Sequence, residues 1–314
     1  MEKKNIYGHK LYSIIFAMIV CAFWGSLYPC VNPGYALFGV DSSHVPSVML
    51  FAGMRFLVCG IIMTAMVSVK EKKFSPPNKT TFLPILAVAL IIIFFQYLFQ
   101  YVGIPLIAQN ASSKSSIIKQ VGFLFISCFA FLFVKDDKFS VRKVIGGILG
   151  FCGIVVINLD GLQLSMGVGE ILIILASLCS VSGNILTKHV YAKIDSSYVV
   201  AYSQLMGGII FTATGLVLGG KLTKISFDAL LLLAYMCASS ICAYLLWGRL
   251  IRYNDISKMA ILKYFEPVFG VLISGVVLGV DNIWKIEYLL AFVIIFAAIL
   301  VTNVDFKSKK GVQK

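Results

Sequence analysis

Ten stretches of about twenty apolar residues, each set off by a short polar or charged break, constrain what this chain can fold into. A hydrocarbon core about 30 Å thick is crossed by roughly 20 apolar residues in an α-helix. The stretches fall at 11–29, 47–69, 81–103, 112–134, 141–159, 168–188, 197–219, 227–248, 258–280 and 284–303. With 59% hydrophobic and only 13% charged residues, the chain lacks the polar surface that a soluble core of 314 residues would require. The expected class is an all-α membrane protein of ten transmembrane helices. The first stretch is too long for a signal-peptide core and has no clear cleavage site after it, so it reads as an uncleaved first span. The eight cysteines lie mostly inside apolar runs with no CxxC pair, as small core residues rather than a disulfide or metal framework.

Loop charges give a direction. With the N-terminus inside, 20 of the 27 Lys and Arg fall on the cytoplasmic side. Four fall outside, namely Lys114, Lys221, Lys224 and Lys285. The remaining three, Arg55, Lys119 and Lys263, lie within spans. Both termini are then cytoplasmic, and the net charge of +13 is a topology signal rather than a nucleic-acid-binding face.

"NASSKSSIIK" at 110–119 and "NDISKMAILK" at 254–263 share Asn, Ser-Lys, Ile and a final Lys at the same positions, 144 residues apart. At that offset Gln96 falls on Ser240 and Gln100 on Tyr244, and Gly25-Ser26 resembles Gly183-Asn184 at a longer one. The chain divides into two five-span halves, 1–163 and 164–314. Five is odd, so the second half enters from the opposite side, the inverted repeat found in many secondary transporters. The competing explanation is chance likeness between greasy segments, and against it the matching residues are the polar ones.

The plan of two five-helix halves, "AFWGS" in the first span, "MRF" in the second and "EPVFGVLIS" in the ninth resemble the EamA type of the drug/metabolite transporter superfamily. Two positions depart from the family pattern. Phe123 stands where the fourth span would match Pro267, and the ninth span ends Leu278-Gly279-Val280-Asp281. The resemblance implies a substrate cavity between the halves, opened alternately to each side, in a multi-pass protein of a bacterial inner or plasma membrane. The related small multidrug exporters rely on an acid in their first helix. Residues 11–29 hold none, which argues against the same proton-coupled cation efflux.

Charges inside a bilayer are costly and mark pathways or pairs. Lys263 and Glu266 are i, i+3 and can neutralise each other, either as a structural couple or as part of a site. Lys119 either snorkels to the headgroups or faces the same cavity as Lys263. If both lysines face it, an anionic metabolite or an amino acid is favoured. Glu266 is the candidate proton carrier. Arg55 serves packing or substrate contact, and Gln204 lies near its position in the seventh span. Gln96 and Gln100 share one face of the third span, with Tyr97 and Tyr101 beside them; Tyr244 and Trp247 belong to a looser stripe on the eighth. Trp24, Asn184 and Tyr264 complete the candidate lining. These residues fit a secondary-active permease or exporter of a small organic metabolite, working by alternating access. A non-transporting receptor or scaffold would not need polar residues on several spans. An intramembrane lipid-modifying enzyme would need a motif such as HExxH, GxSxG or paired carboxylates, and none occurs. No cofactor or metal is expected. The expected partners are the solute and the lipid bilayer, without nucleic acid, and the oligomeric state stays open, a monomer being compatible.

Overall fold

The structure, a computed structural model, describes residues 6–107, 111–157, 166–278 and 286–303. Among the described residues, helix falls within each of the ten expected stretches and there is no strand. Among the described residues, seven helices are long and apolar enough to cross a membrane, and Ile117–Leu132 and Ile286–Thr302 are shorter apolar helices. Lys285, both termini, the 163/164 boundary, residues 279–281 of the ninth span's ending and the side chain of Lys114 lie outside the described residues.

The first stretch departs from expectation. It does not end at Pro29 but continues to Phe38, as α1 (Lys10–Gly25), a turn at Ser26-Leu27, and α2 (Tyr28–Phe38). Proline lacks an N–H but is tolerated in a helix's first turn, and Pro29 sits there in the restarted helix. Gly39, with φ 58°, then ends α2 in the left-handed conformation that glycine adopts without penalty.

α3 (Val45–Glu71) is followed by a broken third stretch: α4 (Lys79–Val88), a π-helical segment Ala89–Phe95, and α5 (Gln96–Gly103). Asn78 caps α4 by accepting from the backbone N–H of Thr80 and Thr81. The π segment changes the helix's rotation just before Gln96, and such bulges often sit at functional sites. Next come α6 (Ala111–Phe129), α7 (Val141–Ile157), α8 (Val168–Tyr191), α9 (Ser196–Val217) and α10 (Phe227–Tyr253). The ninth stretch is split into α11 (Ile256–Leu262) and α12 (Phe265–Leu278), and α13 (Ile286–Asn303) closes the described chain.

Small residues set the helix packing, since apolar side chains gain little by leaving lipid for one another. α3 and α9 run antiparallel at backbone distance. A Cβ on Gly53 would lie 2.6 Å from the Thr212 nitrogen, and one on Gly215 2.8 Å from the Leu50 nitrogen; Gly60 meets Leu205, and Gly208 meets Leu57, closer still. These contacts are mirrored. Gly53 and Gly208, Gly60 and Gly215, Leu57 and Thr212, and Leu50 and Leu205 are each 155 residues apart. At that offset Arg55 corresponds to Ile210, not to Gln204, which lies elsewhere on α9. α7 and α13 repeat the device: Gly146 faces Ala298 and Gly153 faces Ala291, with 145 residues separating each small residue from its counterpart. In the same sense α1 packs against α10 and α12, while α8 packs against α5 and α6.

Gly60→Ala tests this packing. In open space the change would gain about 1 kcal/mol of helix propensity. Here the methyl has only backbone to displace, and overpacking of about 1–3 kcal/mol wins. A lowered thermal midpoint of the purified protein is expected, and a raised one would refute the contact.

Candidate functional site

The break in the ninth stretch follows from Pro267. Having no N–H, it cannot donate to the carbonyl of Lys263. The Glu266 N–H takes that carbonyl instead, at 3.0 Å. The Leu262 carbonyl loses its ordinary partner, and the Cys21 thiol of α1 donates to it at 3.4 Å. The break thus faces α1 near its own interruption. There Ser26 Oγ donates to the Phe23 carbonyl at 2.8 Å, and Ser239 Oγ of α10 donates to the same oxygen at 2.9 Å. A Cβ on Gly25 would strike Phe269 and Gly270, so α1 and α12 touch where both helices are bent.

At this crossing the Lys263 ammonium pairs with Glu266 and lies 3.2 Å from the Trp24 ring centroid. Trp247 is 5.2 Å from it and Phe123 5.9 Å. A cation over an indole face is attracted by the ring quadrupole, most strongly where water is excluded, and both Lys263 and Glu266 are buried. Trp24 also meets Tyr244 edge-on at 5.4 Å and Trp247 at 5.6 Å. The Tyr28 hydroxyl donates to Glu266 Oε1 at 3.3 Å. Lys119 is half-buried on α6, within electrostatic reach of Lys263 and Glu266. The two lysines of the repeated motif therefore approach one carboxylate from two helices.

The site continues through Tyr244, whose hydroxyl is 3.0 Å from that of Tyr97. Tyr97 packs at 4.8 Å on Phe56 and 6.0 Å from Tyr101. The Arg55 guanidinium lies 4.8 Å over the Phe56 ring, within electrostatic reach of Tyr97, Tyr101 and Tyr244. Arg55 is buried, and its Nε has no hydrogen-bond acceptor. Gln100 Oε1 and Gln204 Oε1 are buried without a donor. Polar atoms left unpaired in a dry interior are costly, and these are three of several such atoms among the described residues.

Of the residues singled out in the sequence, Trp24, Lys119, Lys263 and Glu266 form one cluster. Arg55, Tyr101 and Tyr244 form its extension, with Gln100 on the same short helix as Tyr97 and Tyr101. Gln96 is buried at the start of α5. Two others point elsewhere. The Tyr264 ring is fully buried against Gly150 of α7, and the Asn184 amide donates to the Ser180 carbonyl of its own helix at 2.7 Å. Tyr28, Phe123 and Cys21 were not anticipated. Tyr28 was findable, because it lies four residues after Trp24.

A second polar cluster ties the segment leading into α7 to the start of α11 at one end of the bundle. Buried Asp137 accepts from Lys143 Nζ at 2.6 Å and from the Ser257 backbone N–H and hydroxyl at 2.8 and 2.7 Å. Lys143 also reaches Asp255 at 3.1 Å, and Lys258 reaches it at 3.0 Å. At the same end Lys188 Nζ donates to the carbonyls of Ile251 and Asn254, capping the C-terminus of α10 with a cation.

The profile of the EamA-like transporter family matches residues 11–159 and 167–303. Similar curated proteins include the "Uncharacterized inner membrane transporter YedA" of Escherichia coli K12, 29% identical over 93% of this chain and 90% of that protein. The "Uncharacterized transporter YvbV" of Bacillus subtilis is 26% identical, over 84% of this chain and 85% of that one. The "Probable amino-acid metabolite efflux pump" of Escherichia coli K12 is 25% identical, over 95% of this chain and 97% of that one. One crystal structure superposes with a TM-score of 0.76 at 15% identity, covering 93% of this chain and 96% of that one, a likeness of fold alone. Matched over nearly all its length, and carrying several helices fit to cross a bilayer, this multi-pass cell-membrane protein belongs to the EamA-like transporter family.

Proposed function

We propose that the chain is a secondary-active transporter for a small carboxylate-bearing metabolite, an amino acid in the first instance, working by alternating access. Ten spans in two inverted five-helix halves, 1–163 and 164–314, with cytoplasmic termini, form its scaffold. The mirrored contacts of α3 with α9 and of α7 with α13 support this plan, since antiparallel partners related by a two-fold axis exchange equivalent contacts. The two separate stretches matched by the family profile agree with it.

One observation carries the substrate class: a buried arginine with an unpaired Nε stands at the edge of an aromatic wall. Lys263 and Glu266 cancel as a pair, which leaves Arg55 and Lys119 as surplus positive charge. Arginine's planar fork matches a carboxylate in two-point contact. The rings of Trp24, Tyr97 and Tyr244 suit an aliphatic or aromatic side chain, and Gln100 and Gln204 supply acceptors for an ammonium group. Glu266, held between Lys263 and Tyr28, is the group through which a proton would couple to transport. The efflux-pump name of one relative agrees with this reading.

Purified protein reconstituted into proteoliposomes tests it. Amino acids are expected to be transported and the corresponding decarboxylated amines not. In Arg55→Gln the KM for amino acids should rise about tenfold or more, the worth of a charge-assisted contact. Transport of the amines in preference to the amino acids would overturn the assignment.

A further inference from the structure

The helices around the central cluster fall into two groups. α1 packs against α10 and α12, and α8 packs against α5 and α6. The cluster lies between them, with Trp24, Trp247 and Glu266 from the first group and Lys119 and Phe123 from the second. One turn beyond Trp247 along α10, a cation bridges the groups. Lys188, near the end of α8, donates from Nζ to the carbonyls of Ile251, Arg252 and Asn254 at 2.8, 3.2 and 2.7 Å. These carbonyls belong to the last turn of α10 and its C-cap. Carbonyls there have no intrahelical partner and carry the negative end of the helix dipole. Asp136, Asp137 and Asp255 are within electrostatic reach of Lys188, but the groups that accept its hydrogen bonds are neutral backbone.

That chemistry suits a contact that is broken and remade. As the helices part, an ammonium and three helix-end carbonyls trade each other for water, so the net cost is modest. A buried ion pair in the same place would resist far more.

The repeat offers a comparison. At the offset of 158 residues that lays Gly25-Ser26 on Gly183-Asn184, Lys188 falls on Cys30. Cys30 lies on α2, beyond the bend in the first stretch and away from the end where Asn254 meets Tyr7. Its thiol donates to the Ser26 carbonyl of its own stretch at 3.3 Å. A thiol is a weak donor, and this bond joins no second helix group.

We propose that Lys188 is a gate latch. Its ammonium holds the α8–α10 end of the bundle shut, the end marked by Cys30 has no equivalent fastening, and the solute-free protein therefore rests closed at the Lys188 end. The inference rests on alternating access between inverted halves, but not on which solute is carried.

The test is thiol accessibility in purified full-length protein carrying Ser257→Cys, a buried position on α11 at the latched end. N-ethylmaleimide is added, and modification of each cysteine is followed by peptide mass spectrometry. In Lys188→Met the rate at position 257 should rise roughly tenfold or more, the worth of one hydrogen bond to a charged group lost from the closed state. The rate at native Cys30 should fall, because opening one gate shuts the other. Lys188→Arg keeps a cation and should keep both rates. Lys188→Gln serves if the methionine variant does not fold, and should move the two rates in the same opposed directions. The inference is overturned by an unchanged rate at position 257, or by a Cys30 rate that stays level or rises with it, since general loosening would expose both ends. Amino-acid uptake that fails while the two rates move in opposition would strike the proposed solute and leave the latch standing. Intact uptake with unchanged rates would strike the latch alone.

Discussion

Lys263→Met should abolish transport and weaken the fold together. The substitution leaves Glu266 as a buried carboxylate that keeps the Tyr28 hydroxyl and the more distant charge of Lys119 but loses its ion-pair partner. Breaking a buried ion pair from one side costs about 3–5 kcal/mol, because the orphaned charge stays out of water. Lys263→Met/Glu266→Gln removes both charges and should recover most of that loss. Transport should not recover with it. If the pair makes a charge-assisted contact worth about 3 kcal/mol during the transport cycle, its absence lowers uptake about 100-fold. Thermal unfolding and proteoliposome uptake of both variants separate the two possibilities. A stable double variant transporting at the wild-type rate would make the pair a structural couple and move the site elsewhere.

Asp137→Ala carries the second large effect. Asp137 accepts three hydrogen bonds in a buried setting and joins the segment before α7 to the start of α11. Its removal leaves Lys143 buried with Asp255 and the Lys138 carbonyl, and the Ser257 N–H without its acceptor, a loss of about 3–5 kcal/mol. Because the contact joins the segment before α7 to α11, the surviving folded protein should also open more readily at that end. A thiol reagent is then expected to reach a cysteine placed at Ser257 faster in the Asp137→Ala background. Equal unfolding midpoints would contradict the burial argument. The neighbouring carboxyl sets the pH range. Burial pushes the Asp255 carboxyl up, but its hydrogen bond from Lys258 and the charges of Lys143 and Lys258 outweigh this and hold it below its usual range. A depressed folded pKa means that its stabilisation is complete above the unfolded value of about 3.9 and is lost as pH falls through the folded one. The tie should therefore be unchanged from neutral pH down to about pH 5.

The helical stretches were legible because twenty apolar residues in a row have few other fates. Their ends were less so. Pro29 reads as a stop, yet in the structure it is a restart, since the turn at Ser26-Leu27 places it in a new helix's first turn. The repeated lysines were legible from the motif at 144 residues, and both lie within reach of Glu266. Tyr264 was misplaced by its nearness in sequence to Lys263. Both residues lie in the turn between α11 and α12, where the Tyr264 ring packs on Gly150 while Lys263 faces Trp24. Phe123 stood out only as the counterpart of Pro267, and nothing in an apolar run marked its ring as a neighbour of Lys263. Asp137 and Ser257 are 120 residues apart, and nothing local marks them as partners. Lys143 read as a loop charge setting orientation, and only tertiary packing makes it a buried tie.

Two of the chain's three tryptophans, Trp24 and Trp247, stand against Lys263, so their emission reports directly on the proposed substrate site. Purified protein titrated with a transported amino acid should show a saturable change in tryptophan fluorescence, with half-saturation near the KM for transport. Trp24→Phe should remove most of that change. Saturable transport with unchanged fluorescence from both tryptophans would mean that the solute passes elsewhere.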